Sequence, residues 1–177
     1  MILVVYAHPH HARSVTNRAL LDAVRDLDGV RVHALYDRYP DFSIDGDAER
    51  ELLLEAELVV LQHPLYWYAP PALLKLWFEE VLRHGWAFGE GERRLAGKHC
   101  QWVVTTGAPA NGYLPEGMHG HDFEAFVPVV RQTAKFCGMH WHEPIVVHGA
   151  SRIDPEVLER EAAGYRSRLA AWREQRS

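Results

Sequence analysis

A regular alternation of short apolar runs with helical segments constrains the fold more than any other feature of this sequence. Residues 2–6 and 58–62 are short, mainly apolar runs, which are typical of strands buried on both faces of a sheet. Between them, apolar side chains recur with the spacing of an amphipathic helix at Leu20, Ala23, Val24 and Leu27. Strand and helix alternate five times in this way. The pattern predicts an α/β fold with a doubly wound, five-stranded parallel sheet and helices on both faces.

The remaining elements are predicted from the same periodicities and from the positions of glycine and proline. Residues 30–35 alternate between apolar and polar side chains, which indicates a strand at the edge of the sheet. Gly29 is expected to end the first helix, and Asp154 with Pro155 to begin the last one. The other predicted elements are helices at 47–55, from 70 onward and at 122–136, and strands at 100–105 and 144–148.

Length and composition are those of a globular protein. The chain has 177 residues, of which 47% are hydrophobic and 24% charged, and this predicts one domain spanning residues 1–177. A formal net charge of -5 gives no electrostatic reason to bind nucleic acid. Two cysteines inside apolar stretches, Cys100 and Cys137, favour a reduced, cytoplasmic environment. We expect neither a signal peptide nor a membrane span, because no apolar run is long enough.

The loop after the first strand, residues 8–17, leads directly into a helix. A helix N-terminus presents unpaired amide groups and a partial positive charge, which together favour phosphate binding. Ser14 and Asn17 can add side-chain donors, and His8 or Arg13 can add charge. The alternative is that a serine or threonine here only caps the helix. A metal site is disfavoured, because no cysteine or acidic side chain lies beside the histidines of this loop.

Three consecutive aromatic residues follow the third strand, in loop 62–71. Tyr66, Trp67 and Tyr68 cannot all point into the core from the mouth of a parallel sheet. Between the prolines of the same loop, they could form a rigid wall for a planar ring. Packing in the core or against another subunit is the alternative that the sequence leaves open.

The loop after the fourth strand, residues 105–121, combines small residues with side chains that exchange protons. The small residues at 105–108 let the backbone approach a ligand closely, although such residues also form ordinary turns. Tyr113 and His119 farther along the loop suit a site that handles charged, reduced rings. The alternative for His119 is a solvated histidine without a catalytic role.

Two nucleotide-binding motifs are only superficially present. Gly89-Glu90-Gly91 lacks the third glycine of a dinucleotide fingerprint, because Arg94 stands in its place. Gly97-Lys98 resembles the end of a phosphate loop, but His99 replaces the required serine or threonine, and a strand follows it instead of preceding it. Neither motif supports a nucleotide site in this part of the chain.

Several longer segments occur in an order that is typical of one family. They are Tyr6-Ala7-His8-Pro9, Leu35-Tyr36, Tyr39-Pro40-Asp41-Phe42, Ile44-Asp45, Gln62-His63-Pro64-Leu65, Leu73-Leu74-Lys75-Leu76-Trp77, His84-Gly85-Trp86-Ala87, Leu95-Ala96-Gly97-Lys98 and Thr105-Thr106-Gly107. Over nearly the full length, the chain resembles the flavodoxin-like NAD(P)H:quinone oxidoreductases. Within that family it is most similar to the ancillary proteins of the Kef glutathione-regulated potassium-efflux systems.

The resemblance implies a bound flavin, which is FMN in the Kef branch and FAD in some relatives. It implies that the phosphate is held by His8, Ser14, Val15, Thr16 and Asn17. The isoalloxazine ring would be framed by Leu65, Tyr66, Trp67, Tyr68, Thr105, Thr106, Gly107 and Ala108. Ala108 stands where relatives usually have a second glycine. Tyr113 and His119 match the spacing of a tyrosine and a histidine in the larger quinone reductases, so they are the implied catalytic residues.

The predicted function is therefore that of a flavin-dependent quinone reductase. NAD(P)H would deliver a hydride to the flavin, and a quinone would then take the two electrons. The resemblance in residues 39–45 and around Trp77 also implies a homodimer that docks on the cytoplasmic side of a Kef-type potassium-efflux membrane protein. The alternative for Trp77 is packing under the sheet, which helix periodicity alone does not distinguish from a dimer interface. The alternatives are a regulatory binding subunit with incidental reductase activity, and a free-standing quinone, azo- or nitro-reductase.

Overall fold

Within residues 1–176, which the computed structural model describes, five strands form one parallel sheet. They are β1 (Ile2–Tyr6), β2 (Val30–Ala34), β3 (Leu58–Pro64), β4 (His99–Thr105) and β5 (His140–Val147). Their spatial order is β2-β1-β3-β4-β5, so the direction of winding reverses between β1 and β3. The predicted doubly wound sheet is confirmed, and β2 lies at its edge as the alternating pattern indicated.

Six α-helices cover both faces of the sheet in the described part of the chain. They are α1 (Thr16–Val24), α2 (Leu35–Arg38), α3 (Gly46–Glu55), α4 (Ala72–Val81), α5 (Val127–Phe136) and α6 (Pro155–Glu174). Successive strand residues face opposite sides. Leu3 and Val5 therefore pack in the core formed with α3, α4 and α5, whereas Ile2 and Val4 pack with α1 and α6. No helix within residues 1–176 is long and apolar enough to cross a membrane.

Three predicted boundaries are wrong. β5 begins at His140 instead of residue 144, because pairing with β4 extends back to His99 opposite His140. α1 ends at Val24, well before Gly29. The helix predicted at 122–136 is divided into a short 3-10 turn and α5, whose first turn contains Pro128. Boundaries set by strand pairing or by a proline near a helix start are not visible in apolar periodicity alone.

Of the two alternatives for Trp77, a dimer interface or packing under the sheet, the structure shows the second. Trp77 is only 2% exposed and packs under the sheet. Its Nε1 donates to Glu49 Oε2 at 2.7 Å, while Tyr39 OH and His33 Nε2 donate to Glu49 Oε1 at 2.6 and 2.8 Å. Two of the segments that carry the family resemblance, around Tyr39 and Trp77, thus meet at one buried carboxylate.

Candidate active site

The loops after β1, β3, β4 and β5 meet at the carboxyl edge of the sheet. Leu65 N donates to Thr105 O at 2.8 Å, which ties the loop after β3 to the loop after β4. Gly149 N donates to Ala108 O, and Ala150 N donates to Thr106 O, at 2.8 Å each. These bonds hold the loop after β5 against the same segment. In doubly wound sheets, this edge is where ligands bind.

A cavity of about 340 Å³ lies at the start of α1. Its lining comes from all four loops and consists of His8, His10, Arg13, Ser14, Val15, Thr16, Asn17, Pro64, Leu65, Tyr66, Thr105, Thr106, Gly107, Ala150 and Ser151. A β-carbon placed on Gly107 would meet no atom within 4 Å, so the backbone there is open to a flat ligand. The structure therefore brings all five predicted phosphate-binding residues together with the beginning of the predicted ring-framing segments.

Hydrogen bonds hold the polar side chains at the start of α1. Asn17 N donates to Ser14 Oγ at 3.2 Å, so Ser14 caps the helix. A hydroxyl that accepts one hydrogen bond still has its own proton to donate, and capping therefore leaves Ser14 able to bind an anion. Asn17 Nδ2 donates to Thr105 Oγ1 at 2.6 Å, and Thr16 Oγ1 donates to Ala150 O at 3.0 Å. These two side chains fasten α1 to its neighbouring loops.

The charge of this cavity is positive at neutral pH. Burial, together with the nearby His10 and His11, lowers the pKa of His8 to about 4, so its ring is neutral at pH 7. Arg13 and the amide groups of the first turn of α1 supply the positive charge, and the lining contains no carboxylate. Residues 1–176 contain no group of three or more His, Cys, Asp or Glu side chains that could hold a metal ion. The chemistry of the cavity suits a phosphate group.

The aromatic loop after β3 is a tight, strained turn. Tyr66 N donates to Ala69 O at 3.0 Å, and Ala69 N donates to Tyr66 O at 3.1 Å. Between them, Trp67 and Tyr68 have φ angles of 49° and 65°, in the left-handed region that residues other than glycine rarely adopt. Trp67 is 92% exposed and Tyr68 44%, so core packing of this loop is excluded. Strain of this kind is typical of ligand-binding segments.

A second cavity, of about 700 Å³, adjoins the first. The two share Leu65, Gly107 and Ser151 in their linings. The remaining lining residues of the larger cavity are Trp67, Tyr68, Ala108, Pro109, Tyr113, Met118, His119 and Arg152. A polar cavity at a helix start thus continues into a wider, aromatic one.

Tyr113 and His119 lie together in the wall of the larger cavity. Their rings stack with centroids 4.3 Å apart, and Tyr68 OH lies 3.3 Å from His119 Nδ1. His119 Nε2 is buried and has no hydrogen-bond partner in the described chain. Tyr113 is only 6% exposed, and burial raises the pKa of its phenol. His119 therefore packs against Tyr113 and Tyr68, and it is not the fully solvated histidine of the alternative.

Sequence reasoning missed the contribution of the loop after β5. His148 Nδ1 lies 2.9 Å from Thr106 Oγ1, and that hydroxyl donates to Ala108 O at 2.8 Å. Because the proton of the hydroxyl is already engaged, His148 must donate from Nδ1, and burial lowers the pKa of the ring. Ser151 and Arg152 line the cavities directly. Extending the search for loops at strand ends to the fifth strand would have found them.

Ala108 occupies a position where its methyl group faces the loop itself. A β-carbon built on Gly112 would lie 3.4 Å from the β-carbon of Ala108. The methyl group therefore lies beside the backbone of residue 112, while Ala108 also contributes to the lining of the larger cavity.

The residues present fit a flavin mononucleotide. A phosphate is matched by the start of α1, Ser14 and Arg13, with no carboxylate in the lining. A planar ring is matched by the open face of Gly107 and by the exposed aromatic turn. The larger cavity, lined by Tyr68, Tyr113 and His119, adjoins this ring site.

Comparison with known proteins agrees with this geometry. The chain is 44% identical over 174 residues to the glutathione-regulated potassium-efflux system ancillary protein KefF of Enterobacter sp. (strain 638), and the match covers 98% of both chains. The general stress protein 14 of Treponema denticola, solved in complex with FMN, is 36% identical with a TM-score of 0.88 over 96% of this chain and 98% of that one.

Two further solved structures share this fold but are named as enzymes with different activities. An NADPH-quinone reductase from P. pentosaceus is 28% identical, with a TM-score of 0.85 over 94% of this chain and 95% of that one. A chain described as a tryptophan halogenase from Streptomycin violaceusniger is 35% identical, with a TM-score of 0.90 over 94% and 97%. A shared fold does not by itself fix the reaction. The family model of the flavodoxin-like fold matches residues 1–169, and the chain belongs to that family.

Proposed function

We propose that this protein is an FMN-dependent NAD(P)H:quinone oxidoreductase in which residues 1–177 act as one domain. The observation that carries the proposal is the pair of adjoining cavities at the carboxyl edge of the sheet. One offers a helix N-terminus and Arg13 without any carboxylate, and the other offers aromatic walls and proton donors. The similarity to KefF and to an NADPH-quinone reductase, and the FMN bound to a third relative, support the same activity.

The chain's own residues would bind and orient the cofactor. Bound FMN would supply the redox chemistry by accepting a hydride from NAD(P)H and passing two electrons to a quinone. The first-turn amides of α1, Ser14 and Arg13 would bind its phosphate. Residues 65–68 and 105–108 would frame its ring, and the hydrogen bond between Leu65 and Thr105 keeps these two segments at a fixed spacing.

The residues of the larger cavity would bind the quinone and supply a proton. The overall reaction converts NAD(P)H, a proton and a quinone into NAD(P)⁺ and a hydroquinone, so the quinone oxygens must receive protons. Tyr113 is protonated at neutral pH, as an ordinary tyrosine is, and burial raises its pKa further. His119 contacts both Tyr113 and Tyr68 at the cavity wall, where it can donate or accept a proton.

The visible spectrum of the purified protein tests the proposal. We expect a yellow protein that releases FMN on denaturation, identified by chromatography against FMN and FAD. It should oxidise NADH or NADPH in the presence of a quinone. A colourless protein that neither quenches the fluorescence of added FMN or FAD nor oxidises NAD(P)H would contradict the proposal.

His119 is expected to affect turnover more than flavin binding. We expect His119→Ala to lower kcat for quinone reduction about tenfold or more while the FMN content stays unchanged, because a proton donor at the cavity wall is lost. His121→Ala is the matched control, since His121 is an exposed histidine of the same loop. Because His119 also packs on Tyr113, circular dichroism must show that the variant is folded. Equal turnover of both variants would indicate that His119 has only a packing role.

The proposal extends to assembly and partners. A homodimer is supported by the large apolar side chains that remain exposed near the larger cavity, with Trp67 at 92% and Met118 at 78%. The similarity to KefF supports a cytoplasmic protein that reaches the inner face of the membrane through a Kef-type potassium-efflux protein. Light scattering should give twice the monomer mass, and immobilised cytosolic domains of a Kef-type protein should retain the dimer. A dimer that no such domain retains would be a free-standing reductase.

A further inference from the structure

Arg152 is the one residue with a permanent charge in the lining of the larger cavity, within the described chain. The other polar side chains there are those of Tyr68, Tyr113, His119 and Ser151, and no carboxylate is present. The Arg152 side chain is exposed, and therefore available to a molecule that enters the cavity. None of the sequence motifs pointed to this residue, and the phosphate of FMN is matched by Arg13 in the other cavity.

The backbone beneath Arg152 is fixed relative to the flavin-framing segment 105–108. Arg152 N donates to Gly149 O at 2.9 Å, which closes a turn. Gly149 N donates to Ala108 O at 2.8 Å, and Ser151 Oγ donates to Gly107 O at 3.2 Å. The backbone of Arg152 thus belongs to a turn that is hydrogen-bonded directly to the predicted ring site. The long, flexible side chain lets the guanidinium adjust its position to a ligand.

The net charge of the whole chain disfavours an anionic substrate, and a local cation offsets this effect. The formal net charge is -5 at pH 7, which repels a nicotinamide dinucleotide with its negatively charged phosphates. A quinone carries no such charge. The planar, multiply donating guanidinium is the side chain best matched to phosphate oxygens. Of the two substrates of the proposed reaction, the reductant is therefore the one whose charge complements Arg152.

We infer that Arg152 is a specificity-determining residue that binds a phosphate group of NAD(P)H when the reductant occupies the larger cavity. The inference rests on the proposed function. The phosphate belongs either to the pyrophosphate bridge, which NADH and NADPH share, or to the 2′-phosphate, which only NADPH carries.

The test compares Arg152→Gln with the wild-type FMN-loaded protein, using NADH, NADPH and the uncharged hydride donor 1-benzyl-1,4-dihydronicotinamide. We expect KM for the phosphate-bearing reductants to rise about tenfold or more, with kcat and the KM for the uncharged donor unchanged. Calorimetry with NAD⁺ and NADP⁺ should show the same loss of affinity without turnover. Arg152→Lys should retain part of the dinucleotide affinity that Arg152→Gln loses. Arg160→Gln, which removes one exposed charge from α6, is the matched control.

Each result decides a separate point. A loss confined to NADPH and NADP⁺ identifies the 2′-phosphate, and an equal loss for both dinucleotides identifies the pyrophosphate; either supports the inference. Unchanged dinucleotide affinity overturns it, and so does an equal rise in KM for the uncharged donor, which would indicate a structural defect. If the wild-type protein oxidises none of the three donors, the proposed function itself fails and the inference fails with it.

Discussion

A variant with alanine at both Ser14 and Asn17 is expected to lose its flavin during purification. Ser14 can donate its hydroxyl proton to a phosphate, and Asn17 has a second amide proton besides the one that it gives to Thr105 at 2.6 Å. Charge-assisted hydrogen bonds of this kind contribute about 1.5–3 kcal/mol each, so the two together correspond to a loss of affinity of about a hundredfold or more. Fluorescence titration of the flavin-free protein with FMN measures the change.

Single variants separate phosphate binding from loop positioning. Ser14→Ala removes one donor and the helix cap, whereas Ser14→Thr keeps a hydroxyl and should retain FMN. Asn17→Ala also breaks the bond to Thr105, so its thermal melt must be compared with the wild type. Ser167→Ala, on the exposed surface of α6, is the control. FMN affinity that stays the same in the double variant would show that the phosphate is not bound at the start of α1.

Glu49→Ala is expected to reduce the free energy of unfolding by about 3–5 kcal/mol, which is typical when one partner of a buried charged network is removed. The substitution leaves the donors of His33, Tyr39 and Trp77 without an acceptor. For a chain of this size, the melting temperature should fall by about 10 °C. Urea unfolding followed by circular dichroism measures the effect. Glu51→Ala, an exposed carboxylate on the same helix, should change little.

The contribution of Glu49 depends on pH in a defined direction. Burial alone would raise the pKa of Glu49, but the hydrogen bonds from His33, Tyr39 and Trp77 outweigh it and hold the pKa below the ordinary value of 4.5. A carboxylate whose pKa is lower in the folded than in the unfolded protein contributes its full stabilisation at pH values above the unfolded-state pKa. This contribution is lost as the pH falls through the folded-state pKa. The difference between wild type and Glu49→Gln should therefore shrink below about pH 4.5. A difference that grows in acid would contradict the assignment.

Much of the candidate site could be predicted because it consists of loops next to strand ends. The apolar runs at residues 2–6 and 58–62 fixed two strands, and ligand-binding loops of a doubly wound sheet follow such strands directly. The prediction that Tyr66, Trp67 and Tyr68 cannot all point into the core needed only their place after a buried strand, and the exposure of Trp67 confirms it. These predictions depend only on local properties of the sequence, namely the periodicity of apolar residues and the identity of neighbouring residues.

What the sequence by itself determined is thus the α/β alternation, the parallel sheet and the loops at its carboxyl edge, because the spacing of apolar side chains specifies each of them. Only the tertiary structure decided that Trp77 is buried against Glu49, that Arg152 joins Tyr113 and His119 around one cavity, and that β5 begins at His140. These facts depend on strand order and register, which bring together residues far apart in the chain. No local pattern encodes which distant partner a polar side chain will meet.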